Sequence, residues 1–250
     1  MVVIPNYRLA PQVDGKTAFR DCEEAYDWAT GALASTMAVQ HDVKLDASRV
    51  VAMGHSSGGT IALHIGATKS VKAVTAFYPS LNLSDESSSA HKPCAMPPFN
   101  QMPDFEPSDE DWKIIKPADH QISEMPLTAP GTVPSVRSKW QMSILKNGKW
   151  MQAICPDGDF GALDPLSRLS GAWPPVMFVQ GEADHVPGSS LELVRRAEGK
   201  MKSAGLEEVD VEVVPGAMHM FDMPPTIGTS DLGPKWQAVL AGLEFLKARV

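Results

Sequence analysis

The sequence predicts an α/β fold, a mostly parallel β-sheet with helices on both faces. Three observations predict it. Short apolar runs rich in β-branched residues alternate with amphipathic stretches of helical length in both halves of the 250-residue chain. A glycine-rich stretch, Gly54-His55-Ser56-Ser57-Gly58-Gly59, sits between one such run and one such helix. The chain is 43% hydrophobic and 21% charged, enough for a sizeable core under an ordinary polar surface.

Taken in order, Val2 to Ile4 is a β-branched run closed by Pro5, so a first strand and a turn. Asp14 to Gln40 places Ala18, Cys22, Ala25, Trp28, Ala29 and Leu33 at helical spacing, opposite Arg20, Glu23, Glu24 and Asp27. Asp46 to Met53 reads as a buried strand and Ser56 to Thr68 as the helix after it. Val71 to Tyr78 follows as a strand. From Ser80 to Gly171 the alternation stops, and the chain becomes rich in Pro, Met, Ser and Asp. Only Asp111 to Lys116 and Val136 to Lys146 read as helical there. So long a stretch exceeds any plain loop, so residues 80–170 are expected to form an inserted lid. Residues 1–79 and 171–250 are then the core. Alternation resumes with a strand at Val176–Gln180, a helix at Ser189–Ala204 and a strand at Val209–Val214. A closing helix, Pro234–Val250, turns Trp236, Val239, Leu240, Leu243 and Phe245 inward.

The bulk properties exclude several function classes. A net charge of −8 with no basic stripe argues against nucleic acid, which needs clustered Lys and Arg. The three cysteines, Cys22, Cys94 and Cys155, are odd in number and far apart, so neither a disulfide framework nor a zinc site is expected. Asp157-Gly158-Asp159 lacks the remaining calcium ligands and reads as a turn. No metal and no cofactor are expected. The N-terminus lacks a basic leader and an apolar signal segment, and no run is long enough to span a membrane. A cytoplasmic protein is the default expectation.

The chemistry concentrates at Ser56. A serine at a tight strand-to-helix turn has its hydroxyl lifted clear of the sheet, with flanking glycines relieving the crowding. A serine N-cap after a glycine turn is the plain alternative. A serine hydroxyl attacks only if a base takes its proton and an acid orients that base. His64, His91, His120, His185 and His219 all follow Ser56. His219 stands out because it lies just past the Val209–Val214 strand, at a strand's C-terminal end, where open α/β sheets gather their sites. His64 falls in the helix after Ser56 and reads as packed; His91 and His120 reach the site only through the lid. His55 is expected to line the pocket with its side chain turned from the reacting atom. Glu182 and Asp184, both past the Val176–Gln180 strand, are candidates for the acid; the distance from the strand end favours Asp184. A histidine base must be neutral, so activity is expected to fall as pH drops through the ordinary imidazole range near ~6.5.

These residues resemble a family. Asn6-Tyr7-Arg8-Leu9-Ala10-Pro11 is similar to the Y-R-L-A-P segment of the hormone-sensitive-lipase-like branch of the α/β-hydrolases. Residues 54–59 resemble its G-D-S-A-G-G turn, with His55 and Ser57 in place of Asp and Ala. Asp21 and Trp28, the run from Trp173 to Asp184, and Gly216 to Phe221 resemble its remaining motifs. The resemblance implies hydrolysis of small or medium apolar carboxylic esters through an acyl-enzyme. Ser56 is then the nucleophile, His219 the base, Asp184 the acid and the Ser57 N–H an oxyanion donor. His55, Met220 and Phe221 would contact the substrate.

One departure is large. The branch's H-G-G loop lies upstream of Y-R-L-A-P and supplies most of its oxyanion donors; no His-Gly-Gly occurs in this sequence. Losing one such donor typically costs about 10²–10³ in rate. The fold expected is therefore an N-terminally truncated version, with Val2–Ile4 as a bare edge that invites a second copy into a homodimer. Met96, Pro97, Pro98, Phe99, Met102, Trp112, Trp140, Trp150 and Met151 of the insert would line an acyl pocket or form a small core of their own. A ligand-binding protein without turnover, a poorly folding gene product and a peptidase of the prolyl-oligopeptidase type are the competing readings.

Overall fold

The computed structural model describes residues 1–97, 99–117, 134–223 and 233–250. Four strands form one parallel sheet in the order β1 (Ala52–His55), β2 (Val74–Phe77), β3 (Val176–Gly181), β4 (Val209–Val214). Parallel neighbours need a crossover between them. Helix α3 (Ser57–Thr68) connects β1 to β2, and α7 (Leu191–Ser203) connects β3 to β4. Between β2 and β3 the crossover is the long middle segment, with helices α4 (Asp109–Ile115), α5 (Val136–Lys146) and α6 (Trp150–Ile154).

Alternation along the strands divides the core in two. Val74, Ala76, Val176 and Phe178 face one side, with Leu63 of α3 and Val194, Ala197 and Met201 of α7. Phe77, Met177 and Val179 face the other, against Ala238, Phe245 and Leu246 of α8 (Pro234–Lys247). Helices thus cover both faces, as predicted. The middle segment joins the first cluster through Leu81, Leu83, Ala90, Met151, Cys155 and Leu163, all nearly or fully sealed from solvent.

Several local expectations are corrected. Val2–Ile4 makes no ladder pairing, and Val2 and Ile4 are more than four-fifths exposed. Propensity for a strand is not a strand: without a partner edge the backbone groups of an apolar run gain nothing from extending. Among the described residues the edge strands of the sheet are β1 and β4. The strand expected from Asp46 starts only at Ala52, because Asp46 folds into a turn that accepts from the Ser48 N–H and hydroxyl. The predicted Asp14–Gln40 helix is α1 (Gly15–Trp28), a π-helical turn (Ala29–Leu33) and α2 (Ala34–His41). Asp14 caps α1 by accepting from the Thr17 N–H at 2.7 Å. The wide turn breaks the helical spacing ahead of α2, which buries none of its residues; Trp28, the last residue of α1, is half exposed. In α8 the inward stripe is Ala238, Phe245 and Leu246, while Trp236 and Leu243 are exposed.

Candidate active site

The turn between β1 and α3 holds Ser56 at φ 54°, ψ −121°, a backbone conformation that L-residues disfavour. The Ser56 N–H donates to Phe77 O at 2.9 Å, continuing the β1–β2 ladder past the last strand residue. The Ser56 carbonyl accepts from Gly59 N–H and Thr60 N–H, the first turn of α3. Gly54 is required: a Cβ there would lie 2.1 Å from Gly58 O, too close for any other residue. Ser57 opens α3, where its N–H has no acceptor within the helix.

His219 and Asp184 come from two loops past the C-terminal ends of β4 and β3. His219 Nε2 lies 2.9 Å from Ser56 Oγ and Nδ1 2.7 Å from Asp184 Oδ2. With Nδ1 donating to the carboxylate, Nε2 is the lone-pair nitrogen facing the serine hydroxyl. Asp184 is sealed from solvent, with the Gln180 amide donating to Oδ2 and the Val186 N–H to Oδ1. Ionised acceptors satisfied in this way are stable when buried. Of the two candidate acids only Asp184 reaches the histidine. Glu182 accepts from Gly216 N–H at 2.9 Å, pinning the start of the His219 loop. The loops are further joined by Glu182 N–H to Val214 O and Ala183 N–H to Ala217 O.

His55 turns away from Ser56. Its ring stacks on Phe77 at 4.5 Å and its Nε2 lies 2.8 Å from Asp222 Oδ2. Asp222 Oδ1 accepts from the Tyr78 hydroxyl at 2.5 Å. Burial pushes the Asp222 carboxyl up, but the His55 and Tyr78 hydrogen bonds outweigh it and hold it below the usual value. The Tyr78 phenol is pushed well up, by burial first and then by the neighbouring Asp222 carboxylate. Sequence reasoning missed Tyr78 and Asp222. A signal was present, since Tyr78 closes the β2 run and Asp222 directly follows His219-Met220-Phe221. Phe221 is buried with its ring edge-on to Tyr78 at 5.5 Å, and Met220 sits at φ 58° beside it.

The other histidines are engaged elsewhere. His64 is buried against Phe19, with Nε2 2.6 Å from Glu23 Oε1. His91 Nε2 lies 2.7 Å from Leu83 O, and His185 is exposed. His120 and Pro98 lie outside the described residues. Burial raises the Cys22 thiol to about 12, with the Asp21 charge adding to it, so Cys22 is no thiolate nucleophile. Among the insert's aromatic and methionine residues, Met151 is core and Trp112 packs edge-on to Trp140 at 6.0 Å. Met96 instead lines a cavity of about 450 Å³ that borders Asp184 and His185, with Lys92, Ser190 and Arg196. Among the described residues no cluster of His, Cys, Asp and Glu could hold a metal, and no helix is long and apolar enough to cross a membrane.

A family model described as the alpha/beta hydrolase fold matches residues 1–123. Among curated proteins, a non-reducing polyketide synthase of Aspergillus calidoustus is 26% identical over 98% of this chain and 11% of its own length. The chain thus spans about a tenth of the polyketide synthases it matches. A probable carboxylesterase of Cochliobolus lunatus is 25% identical over 78% of this chain and 89% of its own length. Among solved structures, carboxyl esterase 2 of the mycorrhizal fungus Tuber melanosporum superposes with a TM-score of 0.59 at 17% identity. That match covers 98% of this chain and 66% of the esterase.

Proposed function

The chain belongs to the alpha/beta-hydrolase fold, and from that premise we propose that it is a serine hydrolase of carboxylic esters. Ser56 attacks the ester carbonyl while His219 takes its proton through Nε2. The ester C–O bond breaks and the alcohol leaves with that proton; water then attacks the acyl carbon as His219 takes its proton, and the proton returns to Ser56 Oγ as the carboxylic acid is released. Asp184 holds the imidazole with Nδ1 protonated and stabilises the imidazolium formed in each step. The Ser57 N–H, at the N-terminus of α3, supports the oxyanion. The observation that carries the reading is the continuous hydrogen-bonded series from Ser56 Oγ through His219 to Asp184. Similarity to a probable carboxylesterase supports the ester class. The match to polyketide synthases across nearly the whole chain favours a polyketide-type acyl group.

The experiment is reaction of the purified chain with a p-nitrophenyl ester and a fluorophosphonate. Burst release and covalent labelling at Ser56, both abolished in Ser56→Ala, are expected. Equal turnover by Ser56→Ala would refute the assignment. Faster cleavage of the matching p-nitroanilide would point to an amidase instead. The same reagents test a ligand-binding reading: tight binding of an ester without labelling at Ser56 would decide for it. No nucleic acid is among the partners proposed; a second copy at the β1 edge is.

A further inference from the structure

Beside Ser56, His219 and Asp184 lies a second hydrogen-bonded set that ester hydrolysis does not itself require. Its centre is Asp222, whose side chain is only 9% exposed. The donors that hold it come from two different strands. His55 is the last residue of β1 and the neighbour of Ser56; Tyr78 directly follows β2. Asp222 stands three residues after His219, in the same loop. The carboxylate therefore ties the loop carrying the histidine to the strand carrying the serine and to the strand beside it.

Tyr78 adds a second contact. Its ring meets the His219 ring edge-on at 4.6 Å and is itself fully buried, wedged between His219, Phe221 and Phe77. Its hydroxyl, bound to Asp222, fixes where that ring stands. The loop also needs holding, because Met220, between His219 and Asp222, adopts a left-handed backbone that only surrounding bonds can maintain. Glu182 on Gly216 pins the loop's start, and Asp222 pins its far side.

We propose that Asp222, gripped by His55 and Tyr78, is a positioning residue that keeps His219 Nε2 aimed at Ser56 Oγ. Its effect on rate rests on the ester-hydrolase reading; its effect on His219 does not. The set acts on the orientation of the imidazole, so it governs turnover more than binding. A displacement of about 1 Å at a reacting group can cost on the order of 100-fold in rate.

The test uses Tyr78→Phe, which keeps the buried ring, Asp222→Asn, which keeps the shape, and their double variant. Because Asp222→Asn alone could unfold the loop, His55→Gln, at a partly exposed position, serves as a further variant. On the full 250-residue chain, kcat and KM for p-nitrophenyl butyrate are measured per fluorophosphonate-titrated site. Melting temperature and the imidazole NMR titration of His219 are measured in parallel. The expected result is a fall in kcat of about 10- to 100-fold in each single variant, with KM within about twofold. The double variant should be no worse than the worse single, as for residues acting as one unit. The His219 titration should move in all three single variants and in the double variant. Parental kcat per titrated site with an unmoved His219 titration, whatever the melting temperature, would overturn the proposal. So would additive losses in the double variant. If the parent neither turns over nor labels at Ser56, the ester-hydrolase reading fails. The NMR arm then decides the positioning role alone, an unmoved His219 titration in Tyr78→Phe refuting it.

Discussion

In the proposed mechanism Asp184 would do two things for His219: select the tautomer, from its place 2.7 Å from Nδ1, and oppose the charge that forms on the imidazole. Asp184→Asn can keep the bond from Val186 N–H while presenting an amide to His219 Nδ1, which favours the wrong tautomer. It should lower kcat by about 10⁴ with little change in melting temperature, as pre-steady-state labelling and a thermal melt would show. Gly181→Ala is expected to act the other way round. A Cβ there lies 2.5 Å from Ala217 O, a backbone atom of the His219 loop. Overpacking of this kind costs about 1–3 kcal/mol, read as a lowered melting temperature, with a loss of activity because the same loop shifts. At this scale the sequence was informative wherever the signal was local. Ser56 announces itself through adjacent glycines, and His219 and Asp184 through their places past strand ends. Tyr78 and Asp222 show only their places, at the end of the β2 run and just past His219; that they meet depends on closing 144 residues of separation.

Helices α1 and α3 meet through a polar pair, buried His64 with half-buried Glu23, set beside Phe19. Burial holds His64 below its ordinary value of 6.5, against the opposing pull of the Glu23 carboxylate. The unfolded chain therefore binds a proton near pH 6.5 that the folded chain refuses. The stability linked to this group is present above that pH and is lost as pH falls through 6.5 toward the lower folded value. Melting temperature should decline between pH 7 and pH 5.5, and His64→Gln should flatten that decline. An equal slope in the variant would show that other groups govern the acid limb. Element identity was largely legible from periodicity. Val136–Lys146 and Val209–Val214 fall where the pattern puts them, while Val2–Ile4 and Asp46–Val51 do not become strands. Pattern reports which residues favour a strand, but the ladder decides where one exists.

The middle segment and the two flanking parts share one apolar core, through Leu81, Leu83, Met151 and Leu163 against the sheet and its helices. Such sharing predicts that the chain melts in a single cooperative transition by both near-UV and far-UV circular dichroism. Two separate transitions would show that residues 80–170 fold as an independent lid. The exposed apolar residues tell a second story at this scale. They are spread along the chain, but Val2, Ile4, Trp28, Val39 and Met53 fall in the first 53 residues, and Met53 lies on β1, one of the two edge strands. Concentration-dependent self-association is expected by sedimentation, reduced in Met53→Lys because a charge on an edge strand opposes edge-to-edge pairing.

By itself the sequence determined the class of fold, most of the helices and the three residues that meet at Ser56. Those depend on short-range quantities: periodicity of apolar residues, glycine where a turn crowds, and the position of polar residues past strand ends. Only the tertiary structure showed what Glu182 does instead: it accepts from Gly216 N–H and pins the start of the His219 loop. It alone showed that β1 is an edge strand while Val2–Ile4 stays unpaired, and that His55, expected to turn from the serine, pairs with Asp222 and through it with Tyr78. Each of these turns on distances between groups far apart in the chain, set by how the strands pair and the loops pack.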